Sequence, residues 1–314
     1  MNLDIPSPEE SLKRIKKYIN RTPLSYSERL SKECGSEIYL KLENLQKTGS
    51  FKVRGALNKV INMNSDRPVV AASSGNHGAA VSYALNKKNN KGKIYVPTSV
   101  KKLKAENIRS YGSEVIKFGD DCLDAENEAI KVSRENNYTF ISPYNDKDVI
   151  SGQGTIGVEI LEENDKIDVV FVTVGGGGLI SGIAHYLKSK NPDIKVIGCS
   201  PENSSIMINS IKNGEIINSE SKDTLSDGSA GGVEEGSITF DLCRNLIDEY
   251  CLVSEEEIAK QIRDSLNYDK IVIEGAAAVA IASLLKMKKE FKDRNIAVII
   301  CGGNIGSETI KSIL

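Results

Sequence analysis

The feature that most limits how this chain can fold is a recurring succession: a short apolar run, a turn of glycine or serine, then an amphipathic stretch of helical length. Such alternation belongs to a parallel sheet flanked by helices, since parallel strands need a crossover and a helix is the usual one. It occurs in two series. In the first, the run 69–72 enters Ser73-Ser74-Gly75-Asn76-His77-Gly78 and a helical pattern over 79–87. The run 94–97 then precedes a helix over 102–111, 114–118 precedes one over 123–136, and 139–142 follows. In the second, 168–174 enters Gly175, Gly176, Gly177 and Gly178 ahead of a helix over 179–190, and 195–199 is the next strand. Ser254 and Glu257 are spaced as a capping box for a helix over 255–266. An alanine-rich helix over 274–286 and a buried strand over 295–300 lead to Cys301-Gly302-Gly303-Asn304. Two such series predict two α/β lobes with a ligand between them, at the carboxyl ends of strands. The polar, glycine-rich stretch 219–236 reads as a long functional loop.

A chain of 314 residues has room for a substantial core in one or two domains. Its 41 basic and 43 acidic residues nearly cancel and form no like-charge tract, which argues against nucleic acid or an anionic membrane as partner. No apolar run is long enough to span a bilayer, and the polar start 1–10, with two prolines, does not read as a secretory signal. The six cysteines are scattered without a C-x-x-C pair, and His77 and His185 are the only histidines. Zinc and a disulfide framework are therefore not expected, and the compartment reads as a reducing cytoplasm.

Glycines 175–178 lie between a strand and a helix, where bare backbone N–H groups can converge on an anion. A tight strand-to-helix turn would use the same glycines. A Walker loop needs a Gly-Lys-Ser/Thr ending, whereas Leu179-Ile180-Ser181-Gly182 follows here. A dinucleotide fingerprint fails at Ser181, and Cys199-Ser200 stands where an acidic residue would close the next strand. A small phosphorylated cofactor fits this loop better than ATP or NAD. Lys52, in Thr48-Gly49-Ser50-Phe51-Lys52-Val53-Arg54-Gly55-Ala56, falls at the start of a helix. A helix N-terminus and a nearby cation such as Arg54 would lower its pKa, as a Schiff-base lysine requires; taken alone, it would be an ordinary surface lysine.

The segment 48–56 resembles the cofactor-lysine motif of the threonine dehydratase and serine racemase family, a branch of the fold-type II pyridoxal-5′-phosphate (PLP) enzymes. Arg21-Thr22-Pro23-Leu24, 39–46, 73–78, Gly152-Gln153-Gly154-Thr155, 175–178, Glu274-Gly275-Ala276-Ala277 and 301–304 resemble that family in the same order, over nearly the whole chain. The resemblance implies a tryptophan synthase β-like α/β fold, two open parallel-sheet lobes with PLP between them. A large cofactor-binding domain would comprise 1–67 and 146–314, and a small mobile domain 68–145. Lys52 would hold the cofactor covalently and then act as base at Cα. Phe51 would pack on the pyridine ring, Asn76 would hydrogen-bond the ring hydroxyl, and Gly175 to Gly178 would cradle the phosphate, with Glu274 and Cys301 also in the cofactor site. Ser73, Ser74, Asn76 and His77 would bind the substrate carboxylate, although a histidine here also fits simple packing. Ser74 matches the acid/base that serves the second face in serine racemase.

Three departures from the family refine this. Cys301 stands where many members place a serine toward the pyridine nitrogen, and a cysteine at this place resembles the liver-type serine dehydratases. It is too weak an acid to protonate the ring fully, which suits β-elimination better than a long-lived carbanion. Ser200 and Ile206 stand at the two carboxylate positions of the racemase divalent-cation site, so no metal is expected. The chain ends at Leu314, leaving no room for the regulatory domain of biosynthetic threonine dehydratases, so isoleucine feedback is not expected. The expected activity is conversion of L-threonine or L-serine to 2-oxobutanoate or pyruvate plus ammonia. Serine racemisation, or dehydration of another β-hydroxy-amino acid such as hydroxyaspartate, are the alternatives. The loop 223–228 resembles the family's substrate-facing loop. The expected partner is a small amino acid, and a homo-oligomer, dimer or tetramer, is expected.

Overall fold

The computed structural model describes residues 4–63 and 67–314; residues 1–3 of the polar start lie outside it. The chain opens with α1 (Pro8–Ile15), β1 (Leu24–Tyr26), α2 (Glu28–Cys34), β2 (Glu37–Leu42) and α3 (Lys52–Asn62). Next come β3 (Val69–Ala72), α4 (Asn76–Lys88), β4 (Gly92–Val96), α5 (Lys102–Ser110), β5 (Glu114–Lys117), α6 (Cys122–Glu135) and β6 (Thr139–Phe140). The helix α7 (Lys147–Glu163) leads to β7 (Val169–Thr173), α8 (Gly178–Lys190), β8 (Lys195–Pro201), α9 (Ile206–Asn213) and α10 (Ile238–Leu246). The chain closes with β9 (Glu249–Val253), α11 (Glu255–Asp264), α12 (Gly275–Met287), β10 (Asn295–Ile300) and α13 (Ser307–Ile313).

These strands form two sheets, one of six in the order β1-β2-β10-β7-β8-β9 and one of four in the order β5-β4-β3-β6. All pairings in the smaller sheet are parallel, and in the larger only the edge pair β1–β2 is antiparallel. Burial follows from that arrangement. Every residue of β7 is buried, as are five of the six in β10, because helices cover both faces of a parallel sheet. In β3 the two-residue period is visible: Val69 and Ala71 enter one apolar cluster, Val70 the cluster on the opposite face. The helix α12 packs on β7, β8, β9 and β10; its alanines bring it close to the sheet.

Two glycine-dependent contacts explain why α3 sits where it does. A Cβ at Gly152 of α7 would approach Gly55 Cα to 2.6 Å, and one at Gly154 would approach the Gly182 carbonyl to 2.8 Å. The helix α7 is thereby wedged between α3 and α8. The glycines that hid this 17-residue helix from a periodicity reading are the ones that let it pack.

The predicted elements of both series recur with boundary shifts. The helix α4 starts at Asn76, three residues earlier than the periodicity over 79–87 indicates, with Gly75 as its cap. The capping box at Ser254 and Glu257 is formed on both sides. Its helix ends at Asp264 instead of 266, where a π-helical turn over Ser265–Asp269 takes over. No helix among the described residues is long and apolar enough to cross a membrane. All six cysteines are unpaired.

Candidate active site

The strands β7 and β10 of the larger sheet and β3 of the smaller end at one cleft, where their following loops meet. Its walls include Phe51, Lys52, Asn76, Tyr144, Thr173, Gly175 to Gly178, Gly228, Glu274 and Cys301, and it encloses about 470 Å³ including its open mouth.

Lys52 is the first residue of α3 and faces the cleft with Nζ donating to the Pro143 carbonyl at 2.9 Å. The Phe51 ring centroid lies 5.2 Å from that nitrogen. Burial in the cleft wall lowers the Lys52 pKa to about 8, against the opposing pull of Cys301 and Glu274. Arg54 does not contribute, which corrects the sequence expectation. Its guanidinium points away into a buried cluster, paired with Glu43 at 2.7 Å and Glu159 at 2.8 Å. Burial disfavours that charge, but the two glutamates overcome it and hold Arg54 above its ordinary pKa.

Each cradle glycine has a reason in the structure. A Cβ at Gly175 would meet the Ser229 carbonyl at 2.8 Å, and one at Gly176 would run into the Tyr144 ring. One at Gly178 would meet Tyr144 Cα at 2.9 Å. Gly177 has φ +83° and serves as the cap of α8 without any side-chain bond to the first-turn N–H groups. Those N–H groups are left for an anion, with the positive end of a 13-residue helix behind them.

The opposite wall carries a carboxylate and two amides. Asn76 Nδ2 donates to both oxygens of Glu274, at 2.9 and 3.0 Å, and the backbone N–H of Asn304 donates to Glu274 Oε2 at 3.1 Å. Burial raises the Glu274 pKa to about 7 and the charge of Asp227 adds to it, while Asn76, Asn304 and Lys52 oppose the rise. Cys301 is buried at the end of β10, and burial, with Glu274 nearby, pushes its thiol well above its ordinary pKa. It is a neutral group at physiological pH.

Of the four residues expected to hold a substrate carboxylate, only Asn76 lines the cleft; Ser73, Ser74 and His77 flank it at the start of α4. Ser73 Oγ accepts from the Gly75 N–H at 3.1 Å. The His77 ring turns inward to the Ile141 carbonyl at 2.9 Å, and burial followed by the Lys52 charge lowers its pKa to about 3. Sequence reasoning missed Tyr144, Thr173 and Ser229. Tyr144 follows a two-residue strand and carries no motif; only the missing Cβ atoms opposite it betray its place.

These residues fit PLP: a glycine cradle at an uncapped helix start for the phosphate, a primary amine of lowered pKa, and a neutral thiol and an amide in the same cleft. The chain belongs to the pyridoxal-phosphate dependent enzyme family, whose model matches residues 15–302; its cofactor is PLP. Among individual relatives, it is 43% identical over 309 residues to the L-threonine ammonia-lyase of Thermotoga maritima, covering 98% of this chain and 77% of that protein. It is 39% identical over 309 residues to the catabolic L-threonine dehydratase of Escherichia coli, covering 97% and 94%. The solved structure of maize serine racemase superposes with a TM-score of 0.92 at 32% identity, over 98% of this chain and 96% of that one.

Proposed function

We propose that this chain is an ammonia-lyase that dehydrates L-threonine or L-serine to 2-oxobutanoate or pyruvate plus ammonia. The observation that carries the reading is Lys52: an amine with pKa of about 8 opening onto the cleft that holds the glycine cradle. Relatives named as L-threonine ammonia-lyase and L-threonine dehydratase support this substrate class.

PLP, when bound, supplies the electron sink for charge left at Cα. Lys52 would anchor it and would serve as the base for the α-proton; a base of this pKa is present in both forms near neutral pH. Phe51 would pack on the ring, Asn76 and Glu274 would hold its hydroxyl side, and Cys301 would be the neutral partner of the ring nitrogen. Gly175 to Gly178 hold the phosphate through backbone N–H groups. The substrate carboxylate sits at the start of α4, on Ser73, Ser74, Asn76 and the backbone N–H of His77. Loss of the β-hydroxyl as water leaves an enamine whose hydrolysis gives the 2-oxo acid and ammonia. The unit 68–145 closes over the larger unit, 1–67 with 146–314, to keep water out until then.

A racemase reading has one specific observation in its favour, Ser74 at the edge of the cleft. We read the protein further as cytoplasmic, supported by its unpaired cysteines, and as a homo-oligomer. Exposed Tyr26, Leu45, Tyr268 and Val272 supply apolar surface for a second copy. The function is tested by measuring 2-oxo-acid release from L-threonine, L-serine and hydroxyaspartate. L-threonine or L-serine is expected to be turned over fastest; release from none of the three overturns the reading.

A further inference from the structure

Asn304 does not line the cleft; it stands behind Asn76. Its Nδ2 donates to the Thr48 carbonyl at 2.8 Å and to Asn76 Oδ1 at 2.7 Å. Asn76 Nδ2 in turn donates to Glu274 at 2.9 and 3.0 Å. Each link in this relay runs in one direction only. A backbone carbonyl can only accept, so Thr48 draws the NH₂ of Asn304 toward itself. That same NH₂ meets Asn76, which must answer with its oxygen. The NH₂ of Asn76 is left facing Glu274 and the cleft. The chain makes room for the relay at two glycines. Gly49 has φ +72°, and a Cβ there would run into Asn304 Oδ1; a Cβ at Gly302 would come within 2.5 Å of Glu274 Oε1.

We propose that Asn304 is a positioning residue that sets the polarity of the Asn76 carboxamide, so that Asn76 offers N–H groups and not its oxygen to the cofactor's ring hydroxyl. The inference rests on the role given to Asn76 above, and not on which amino acid is the substrate. The two ends of a carboxamide have nearly the same shape, so packing alone cannot orient it and directional hydrogen bonds must. The phenolic oxygen of PLP carries negative charge. An Asn76 turned the other way would set lone pairs against that charge, exchanging a charge-assisted hydrogen bond for repulsion.

Two substitutions separate polarity from shape. Asn304→Leu removes both side-chain donors at similar volume, and Asn304→Asp keeps the shape but can only accept. Asn304 is exposed, so both variants should fold, which the melting temperature of the cofactor-free protein checks. Titration of the cofactor-free protein with PLP, followed by absorbance, reads affinity without turnover. The leucine variant is expected to bind PLP about tenfold more weakly, the scale of one charge-assisted hydrogen bond. The aspartate variant is expected to bind about tenfold more weakly again, with the absorbance band of the bound cofactor displaced. A packing role predicts the opposite order, because aspartate is the closer isostere. Aspartate binding as well as leucine, or a penalty that vanishes when high salt screens the added charge, overturns the proposal. Should the aspartate variant not fold, the leucine variant decides, and unchanged affinity and band overturn it. Failure of the dehydratase reading would appear instead as no 2-oxo acid from the wild type, with these titrations unaffected.

Discussion

Arg54 grips Glu43 through two parallel hydrogen bonds, Nε to Oε2 at 2.7 Å and Nη2 to Oε1 at 2.8 Å, with both side chains wholly out of contact with water. Glu159 takes the remaining guanidinium face at 2.8 Å and also binds Lys41 at 2.7 Å, so two cations and two carboxylates balance in the interior. This cluster ties α3 to β2 and α7, and α3 is the helix that begins with Lys52.

Removing one member of a buried, hydrogen-bonded ion cluster leaves a net charge and unmet hydrogen-bond donors in the interior. Glu43→Ala is therefore expected to lower unfolding free energy by about 3–5 kcal/mol, read by urea denaturation. Glu162→Ala, which breaks a half-exposed pair with Arg21, is expected to change it by less than about 1 kcal/mol. Equal effects would show that the interior cluster has no special weight.

Glu274 makes stability depend on pH in an unusual direction. Its pKa rises from 4.5 in a free carboxyl to about 7 in the fold, so between those values the folded state binds more protons than the unfolded chain. Stability from this group is full below about pH 4.5 and is lost as pH climbs through 7. In the cofactor-free protein, Glu274→Gln should remove that loss. Melting temperatures across pH 5 to 8 should fall less steeply in the variant; parallel curves would contradict the burial of Glu274 as the cause.

On the resemblance to serine racemases, Ser200 and Ile206 would stand at the positions where carboxylates hold a divalent cation. Ser200 Oγ donates to the Val174 carbonyl at 2.9 Å, and Ile206 is buried. Magnesium or calcium should leave the melting temperature unchanged. A rise at micromolar cation that disappears in Ser200→Ala would place a metal at this position after all.

Where strands are buried on both faces, the chain reads as unbroken apolar runs, and β3, β7 and β10 are legible from the sequence for that reason. The helix α7 is not, because Gly152, Gly154 and Gly157 look like breaks until the backbones they let approach are known. The cleft is legible at the residues whose chemistry demands a special backbone or a reactive group: Lys52, Asn76, the four glycines and Cys301 meet there. Arg54 illustrates what local sequence cannot convey. Two positions from Lys52, it looks like a neighbouring charge, yet Glu43 and Glu159, contributed by β2's end and α7, neutralise it. Tyr144 and Ser229 reach the cleft through tertiary contacts alone.

On the proposed mechanism, the partition between elimination and racemisation would follow from how little the site steadies charge at Cα. In that mechanism both reactions would begin with removal of the α-proton by Lys52. Racemisation then needs Ser74 to return a proton to the other face, whereas elimination needs only departure of the β-hydroxyl. Burial holds Cys301 neutral; as the proposed partner of the ring nitrogen it would be a weak one, which would favour elimination. Incubation of the holoenzyme with L-serine, with pyruvate followed by a coupled assay and D-serine by chiral chromatography, tests this most directly. Pyruvate in clear excess over D-serine is the expected result, and D-serine forming faster than pyruvate would make the protein an isomerase.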